Sequence, residues 1–356
     1  MKEDKKNYFS GTDIYIGLDV HKKSWDASIY VENILFKSMS ISPPSTKVLA
    51  DILQKNFPFG NYHVVYEAGF SGFWIYDELT GNGIDCVVVS PADIPMSNKD
   101  KNFKTDRNDS KQLAQKLRSG LLKGIHIPEK VQREYRALLR LRNKLVKDRT
   151  RIKNYIKSNL MFFGKVIGKD YEDTTSWSKK FIQGLSRVKY LSDQGKDVIT
   201  ELLKMVSVYD ESIKGIDAKI KQLSLTSQYK QDVEILCSVP GISTLSAMIM
   251  LIEIGDFSRF EDTNKLKSYI GLIPQEHSSG EKEIKTGITR RGNKFLKKII
   301  VESSWVAVRK DKTLLSLYTK LTKRMKGSKA IIVIAGILLN RIRSIMRKRE
   351  YYKLAA

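Results

Sequence analysis

Five short apolar runs in the first ninety residues restrict the fold more than any other feature of the chain. The runs DIYIGLDV, SWDASIYV and ILFKSMSI follow one another closely and have the length and alternation of strands. After a helical segment that Ser45 or Thr46 can cap and that ends near Asn56, YHVVYEAG predicts a fourth strand. A second helical segment, FWIYDELTGNG, precedes a fifth, DCVVVS. This order predicts an α/β sheet that begins as an antiparallel meander, as in ribonuclease H-like sheets, although other α/β folds share its parts.

The rest of the chain shows helical periodicity. Val131, Leu138, Leu145 and Ile152 recur every seven residues. A later series alternates spacings of four and three, namely Leu202, Val206, Tyr209, Ile213, Ile216, Ile220 and Leu223. Such a seam predicts a coiled coil. It could pair inside one chain as a hairpin or between two chains, and the sequence leaves both arrangements open.

These patterns divide the chain into three predicted domains. Residues 1–125 form the α/β domain, residues 126–230 a helical coiled-coil region, and residues 231–356 a mostly helical C-terminal domain. The C-terminal domain contains SVPGIS between apolar helices, which suggests a helix-hairpin-helix whose turn amides could hold a DNA phosphate. The predicted fold class is therefore α/β plus α.

The charge of the chain points to a nucleic-acid partner. There are 63 lysine and arginine residues against 39 acidic ones, for a net charge of +24, and the excess lies in residues 99–165 and 282–353. Aromatic and helix-period apolar residues interleave both segments, which favours nucleic acid over a membrane surface or a merely soluble basic protein. The start of the chain lacks a signal-peptide pattern, and no apolar run has the length of a bilayer span. We therefore expect a cytoplasmic protein with no membrane partner.

Four carboxylates form a candidate metal site. Asp19 ends the first predicted strand and Glu67 the fourth, while Asp106 and Asp109 lie three residues apart at a predicted helix start. Each one alone is more simply a solvated surface acid. As a set they offer the oxygen ligands that Mg²⁺ prefers, and phosphodiester chemistry often uses two such ions. Mn²⁺ is an expected substitute.

The segment GLIPQEHSSGEK carries a second candidate site. We interpret it as a charged loop bounded by glycines, with Ser278 and Ser279 exposed. A serine can attack a phosphodiester if it is activated, and Lys282, Arg290 and Arg291 could neutralise the developing charge. The residues alone favour an ordinary polar turn over this catalytic interpretation.

Four motifs in order, GLDVHKKSWDASI, YEAGFSGFW, KTDRND and GLIPQEHSSG…TGITRRGNKFL, resemble the IS-110 family of insertion-sequence transposases, which includes the Piv-type site-specific invertases. The resemblance runs from about residue 13 to residue 310. It implies a RuvC-like domain with a DEDD metal site, a coiled-coil spacer and a C-terminal domain with a nucleophilic serine. On this resemblance Asp19, Glu67, Asp106 and Asp109 are the catalytic metal ligands, and Ser278 rather than Ser279 is the nucleophile.

The resemblance also implies an activity and its partners. Family members recombine DNA without hydrolysis, through a phosphoserine–DNA intermediate, as dimers to tetramers on donor and target duplexes guided by a bridge RNA. This chain departs slightly from the pattern, because Lys297 and Lys298 stand where arginine is common. Two alternatives stay open: a hydrolytic Holliday-junction-type nuclease, which needs the acids but no serine, and a non-catalytic nucleic-acid-binding scaffold. We expect the protein in the bacterial cytosol, associated with the nucleoid.

Overall fold

The computed structural model forms two compact units, Met1–Ile127 and Pro128–Ala356. The residues whose placement it describes are 9–95, 106–165, 177–190, 192–279, 282–289 and 291–354. Each unit is described by itself below. The predicted division into three domains stays a prediction.

The first unit is built on one mixed sheet. Its strands are β1 (Asp13–Val20), β2 (Trp25–Val31), β3 (Ile34–Ile41), β4 (Asn61–Glu67) and β5 (Asp85–Val89), in the order β3-β2-β1-β4-β5. Strands β1, β2 and β3 pair antiparallel, whereas β1 with β4 and β4 with β5 pair parallel. The predicted α/β sheet with an antiparallel start is confirmed.

Helices cover both faces of this sheet. They are α1 (Thr46–Asn56), α2 (Trp74–Gly81) and α3 (Asp106–Arg118). As the sequence suggests, the Ser45 side chain caps α1 by accepting a hydrogen bond from the Val48 amide. Along β4, Val64 and Tyr66 pack into the core that contains α1 and α2 residues, and Val65 packs with α3. Successive side chains of β4 point to opposite faces of the sheet, so this one strand contributes to an apolar layer on each face.

The second unit is mostly helical, as predicted. Its elements are α4 (Lys130–Phe162), α5 (Lys179–Ser186), α6 (Asp193–Ser224), α7 (Lys230–Cys237), α8 (Thr244–Ile254), α9 (Thr263–Ile270), β6 (Pro274–Ser279), β7 (Lys282–Ile288), α10 (Lys294–Lys310), α11 (Lys312–Thr322) and α12 (Gly327–Lys348). Helix α8 is buried from Ala247 to Ile254, and its apolar side chains belong to one core shared with α4, α6 and the later helices. None of the helices within the described residues combines the length and the apolar composition that a membrane span requires.

The predicted heptad seam packs inside one chain. Helices α4 and α6 contact each other along their length. Arg142 pairs with Asp217 and Arg149 with Asp210, so the two helices run antiparallel. The buried α6 residues of this region are Ile199, Leu202, Val206, Ile213, Ile216, Ile220 and Ser224. The seam therefore serves a helical hairpin, and a coiled coil between subunits stays a prediction.

Shortening one buried side chain of the seam is expected to destabilise the fold of the single chain. Ile216 is 8% exposed within the core, and Ile216→Ala should lower the free energy of unfolding by about 2–5 kcal/mol, because a buried side chain is lost and a cavity is left. Val208→Ala on the outer face of α6, where Val208 is 61% exposed, is the matched control and should change it by less than about 0.5 kcal/mol. Denaturant unfolding measures both. Unchanged stability of Ile216→Ala together with an altered mass in solution would instead show a seam between chains.

Candidate active site

Two of the predicted acids lie at the ends of neighbouring strands. Strands β1 and β4 are parallel neighbours, and Leu18 pairs with Tyr66. Asp19 and Glu67 are the next residues of these strands, so both lie at the carboxyl edge of the sheet. The Asp19 side chain contacts that of His21, with 3.1 Å between Oδ2 and Nε2. This edge is where an open α/β sheet binds its ligands.

Gly17 allows the backbone of helix α3 to pack directly against the backbone of β1. A Cβ atom on Gly17 would lie 2.0 Å from the carbonyl oxygen of Ser110 and 2.6 Å from the amide nitrogen of Ala114. Any side chain there would force helix and strand apart. Gly17 lies two residues before Asp19, so this contact places the start of α3 close to the edge that carries the acids.

One buried and one exposed hydrogen bond set the direction of α3. The hydroxyls of Ser28 and Ser110 are 2.8 Å apart and fully buried, and the Arg118 guanidinium donates to the carbonyl of Glu32 at 2.9 Å. Glu32 follows β2 opposite the amino end of β1, so the last turn of α3 lies there. The first turn, with Asp106 and Asp109, consequently lies toward the carboxyl edge.

Glu67 and Asp109 line one cavity. Its volume is about 230 Å³, and its other lining residues are Pro91, Ile94, Gln112, Leu113 and Lys116. The Lys116 ammonium donates a 3.0 Å hydrogen bond to Gln112, which places a cation beside the two acids. The structure thus joins two of the four predicted ligands across a long separation in sequence.

The donor set fits a hard divalent cation. Two carboxylates in one cavity, with Asp19 at the same edge, provide oxygen ligands of the kind Mg²⁺ prefers. Asp106 begins α3, but its side chain lies outside the described residues. Among the residues that are described, no three acidic, histidine or cysteine side chains form a metal-binding group. The complete four-acid site therefore stays a prediction.

The segment that carries the candidate serines is a β-hairpin, and the interpretation as a loop was wrong. Ser278 pairs with Glu283 and Ser279 with Lys282 in the antiparallel β6–β7 ladder, so the serines end β6. Polar residues in both strands hide the alternation that would have revealed them. Side chains from residue 275 to 286, and all of Arg290, lie outside the described residues, so the predicted roles of these serines and cations stay predictions.

The base of this hairpin is tied to the helical core. A Cβ atom on Gly292 would lie 2.6 Å from the amide nitrogen of Gly271, so the two backbones touch. Asn293 caps α10 and also donates a 2.9 Å hydrogen bond to Glu253. Glu253 is fully buried and receives two hydrogen bonds from Arg140 of α4, at 2.8 and 2.9 Å. This network holds the chain that leads out of the hairpin, and no sequence motif indicated it.

Lysines surround a cavity beside the hairpin. It measures about 530 Å³ and is lined by Ile288, Thr289, Lys294, Lys297, Lys298, Val301 and Glu302. The Lys297 ammonium donates to the carbonyl of Thr289 at 2.9 Å, and burial, with the nearby charge of Lys294, lowers the pKa of Lys297. Three cations in one open cavity can bind phosphate oxygens. The sequence analysis assigned no role to Lys294, although the run KFLKK places it near Lys297 and Lys298.

The proline–glycine turn between α7 and α8 packs on α10. The Ser303 hydroxyl donates to the carbonyl of Gly241 at 3.0 Å, and a Cβ atom on Gly241 would lie 2.7 Å from the carbonyl oxygen of Ser303. The turn is therefore a packed element of the core. Its binding of a DNA phosphate stays a prediction.

A mixed sheet with acids at its carboxyl edge, followed by a helical unit, is consistent with a DEDD-type transposase, and comparisons with known proteins identify this class. Residues 16–163 match a model of IS110-type DEDD transposases, and residues 233–319 match the model described as the transposase IS116/IS110/IS902 family. Together these matches cover more than half of the chain. The chain belongs to the IS110 family of insertion-sequence transposases.

Named relatives share most of their length with this chain. The transposase for insertion sequence element IS1111A of Coxiella burnetii is 29% identical over 304 residues, covering 82% of this chain and 80% of the relative. The transposase for insertion sequence element IS1533 of Leptospira borgpetersenii is 28% identical, covering 70% and 72%. The putative transposase y4qE of Sinorhizobium fredii is 28% identical, covering 71% and 60%.

Proposed function

We propose that this transposase is a Mg²⁺-dependent DNA recombinase that exchanges strands through a serine-linked intermediate under the guidance of a bridge RNA. The observation that carries the proposal is the cavity shared by Glu67 and Asp109 at the carboxyl edge of the sheet. A chain that kept the fold only as a binding scaffold would have no use for two acids lining one cavity where DNA phosphates must approach.

The acids have one task in this proposal, which is to hold divalent cations. Glu67 and Asp109 do so from the shared cavity, and Asp19 and Asp106 complete the set from β1 and from the start of α3. Bound Mg²⁺, as one ion or two, or Mn²⁺ in its place, would polarise the scissile phosphate. Lys116 limits the net negative charge of the cavity before the cations bind.

The serine supplies the nucleophile. The Ser278 hydroxyl oxygen forms a bond to phosphorus and gives up its proton to solvent or a nearby base, while the bond from phosphorus to the 3′-oxygen breaks. The 3′-oxygen takes a proton and leaves as a free 3′-hydroxyl. A 3′-hydroxyl of the partner strand then attacks the phosphoserine, which restores the serine and joins the exchanged strands. No water is consumed.

The basic surface accounts for the polyanionic partners. Exposed cations such as Lys144 and Arg151, whose side chains are 73% and 78% exposed, lie along α4. Lys294, Lys297 and Lys298 add a second cluster near the hairpin. We propose that these surfaces bind donor and target duplexes and the bridge RNA, in an assembly of two to four chains. The acids and the serine belong to different compact units, which is compatible with sites completed by a neighbouring subunit.

The RNA component is tested by what the purified protein carries. Protein expressed with its element's flanking DNA should copurify with one discrete RNA from that flank, and the binding should weaken steeply as salt rises. Expression without the flank is the control and should yield no such RNA. Sequencing that returns only random cellular RNA, together with recombination that survives ribonuclease treatment, would show that no guide is needed.

A further inference from the structure

Two exposed aromatic side chains follow Glu67 in the sequence: Phe70 lies in the loop after β4, and Trp74 is the first residue of α2. Phe70 is 72% exposed and Trp74 is 44% exposed, although apolar rings of this size are usually buried. They follow directly the strand that supplies Glu67 to the acidic cavity. Nothing in the metal or serine chemistry uses them.

The backbone holds Phe70 in a fixed turn. The amide of Gly72 donates to the carbonyl of Gly69 at 3.1 Å, so Phe70 occupies a corner of the turn. The hydroxyl of Tyr66, whose ring is fully buried, donates to the carbonyl of Gly72 at 3.1 Å. The exposed ring is therefore presented by an anchored turn, and a ligand that packs on it has little backbone to order.

Trp74 packs on Trp25, which follows a turn that carries two exposed lysines. Its ring centroid is 5.7 Å from that of Trp25, which is buried at the start of β2. Trp25 follows the turn between β1 and β2, closed by a hydrogen bond from His21 to Ser24, and this turn carries the exposed Lys22 and Lys23. Aromatic rings beside cations are the combination found where proteins bind single-stranded nucleic acid.

We propose that Phe70, assisted by Trp74, is a stacking platform for an unpaired base of the DNA strand that enters the acidic cavity. The inference rests on the proposed function, because it needs DNA at Glu67 and Asp109. An aromatic ring replaces the stacking that a base loses when it leaves the duplex, while Lys22 and Lys23 complement the adjoining phosphates. A protein partner would gain little from one fixed ring beside lysines and carboxylates.

The test is a binding titration of the full-length chain in EDTA, so that cleavage plays no part. The probe is a short single-stranded deoxyoligonucleotide that carries 2-aminopurine, a base whose fluorescence falls when it stacks. Phe70→Leu should weaken binding by about 5- to 100-fold and remove the fluorescence quenching. Phe70→Tyr should bind like the parent chain. Phe59→Leu is the matched control: Phe59 is 65% exposed just before the amino end of β4, at the opposite edge of the sheet, and its loss should change nothing.

Three further arms decide the source of the interaction. On an oligonucleotide that lacks its bases, the difference between Phe70→Leu and the parent chain should vanish; a difference that persists overturns the platform. A loss that appears only with RNA of the same sequence overturns the assignment to DNA, and a change in mass in solution would assign the ring to a second copy of the chain. Unaltered DNA binding by Phe70→Leu overturns this inference alone, since the metal site is tested separately by cleavage.

Discussion

Asp109→Asn is expected to abolish strand cleavage, and Glu67→Gln should do the same. Each change removes one charge from the cavity that both acids line, so a divalent cation would be held by too few negative oxygens. The loss should exceed about 100-fold, since partners one step removed from a metal already cost about 10- to 100-fold. Cleavage of labelled element-end DNA measures it, and calorimetric titration with Mn²⁺ should show weakened metal binding.

Asp51→Asn is the matched control for these acids. Asp51 is an exposed acid on α1, which packs with the apolar layer opposite α3, and its change should leave both cleavage and metal binding intact. DNA binding by Asp109→Asn should be kept, because it depends on the basic surfaces. Cleavage by either active-site variant at the rate of the parent chain would remove that residue from the metal site.

Ser278→Ala is expected to eliminate both cleavage and strand transfer, on the order of 10⁴-fold or more, because no other group would form the covalent link to phosphorus. The variant should keep its metal response, which separates its defect from that of Asp109→Asn. A nicked suicide substrate should trap a covalent protein–DNA band with the parent chain, and mass spectrometry should place the link on Ser278. Ser279→Ala is the matched control and should retain the band.

The outcomes of the serine test distinguish the alternatives. An adduct on Ser279 would exchange the roles of the two neighbours at the end of β6. Full cleavage by a double Ser278→Ala, Ser279→Ala variant would mean that water is the nucleophile, and the protein would then be a hydrolytic junction nuclease. Retained DNA binding with no cleavage by the parent chain under any metal would leave only the scaffold.

The local patterns of the first unit were sufficient to predict its elements. Alternating apolar residues marked the strands, Ser45 or Thr46 marked the start of α1, and carboxylates at strand ends marked Asp19 and Glu67 as candidates. These features depend on residues a few positions apart, and strand pleat and helix capping act over the same short range. The β6–β7 hairpin escaped prediction because its strands are short and largely polar, so pairing and not burial defines them.

The sequence by itself determined the kind of element in most segments, the basic character of the surface and the family motifs. Only the tertiary structure decided which distant residues meet and which loops are anchored. Glu67 and Asp109 line one cavity, the α6 seam packs on α4 of the same chain, and Tyr66 anchors the turn that carries Phe70. The physical reason is the distance along the chain over which each interaction acts. Periodicity and capping are local. The cavity shared by Glu67 and Asp109 depends instead on the close approach of β1 and α3 at Gly17, and the turn that carries Phe70 depends on the buried Tyr66 ring, which becomes fixed only when the core is packed.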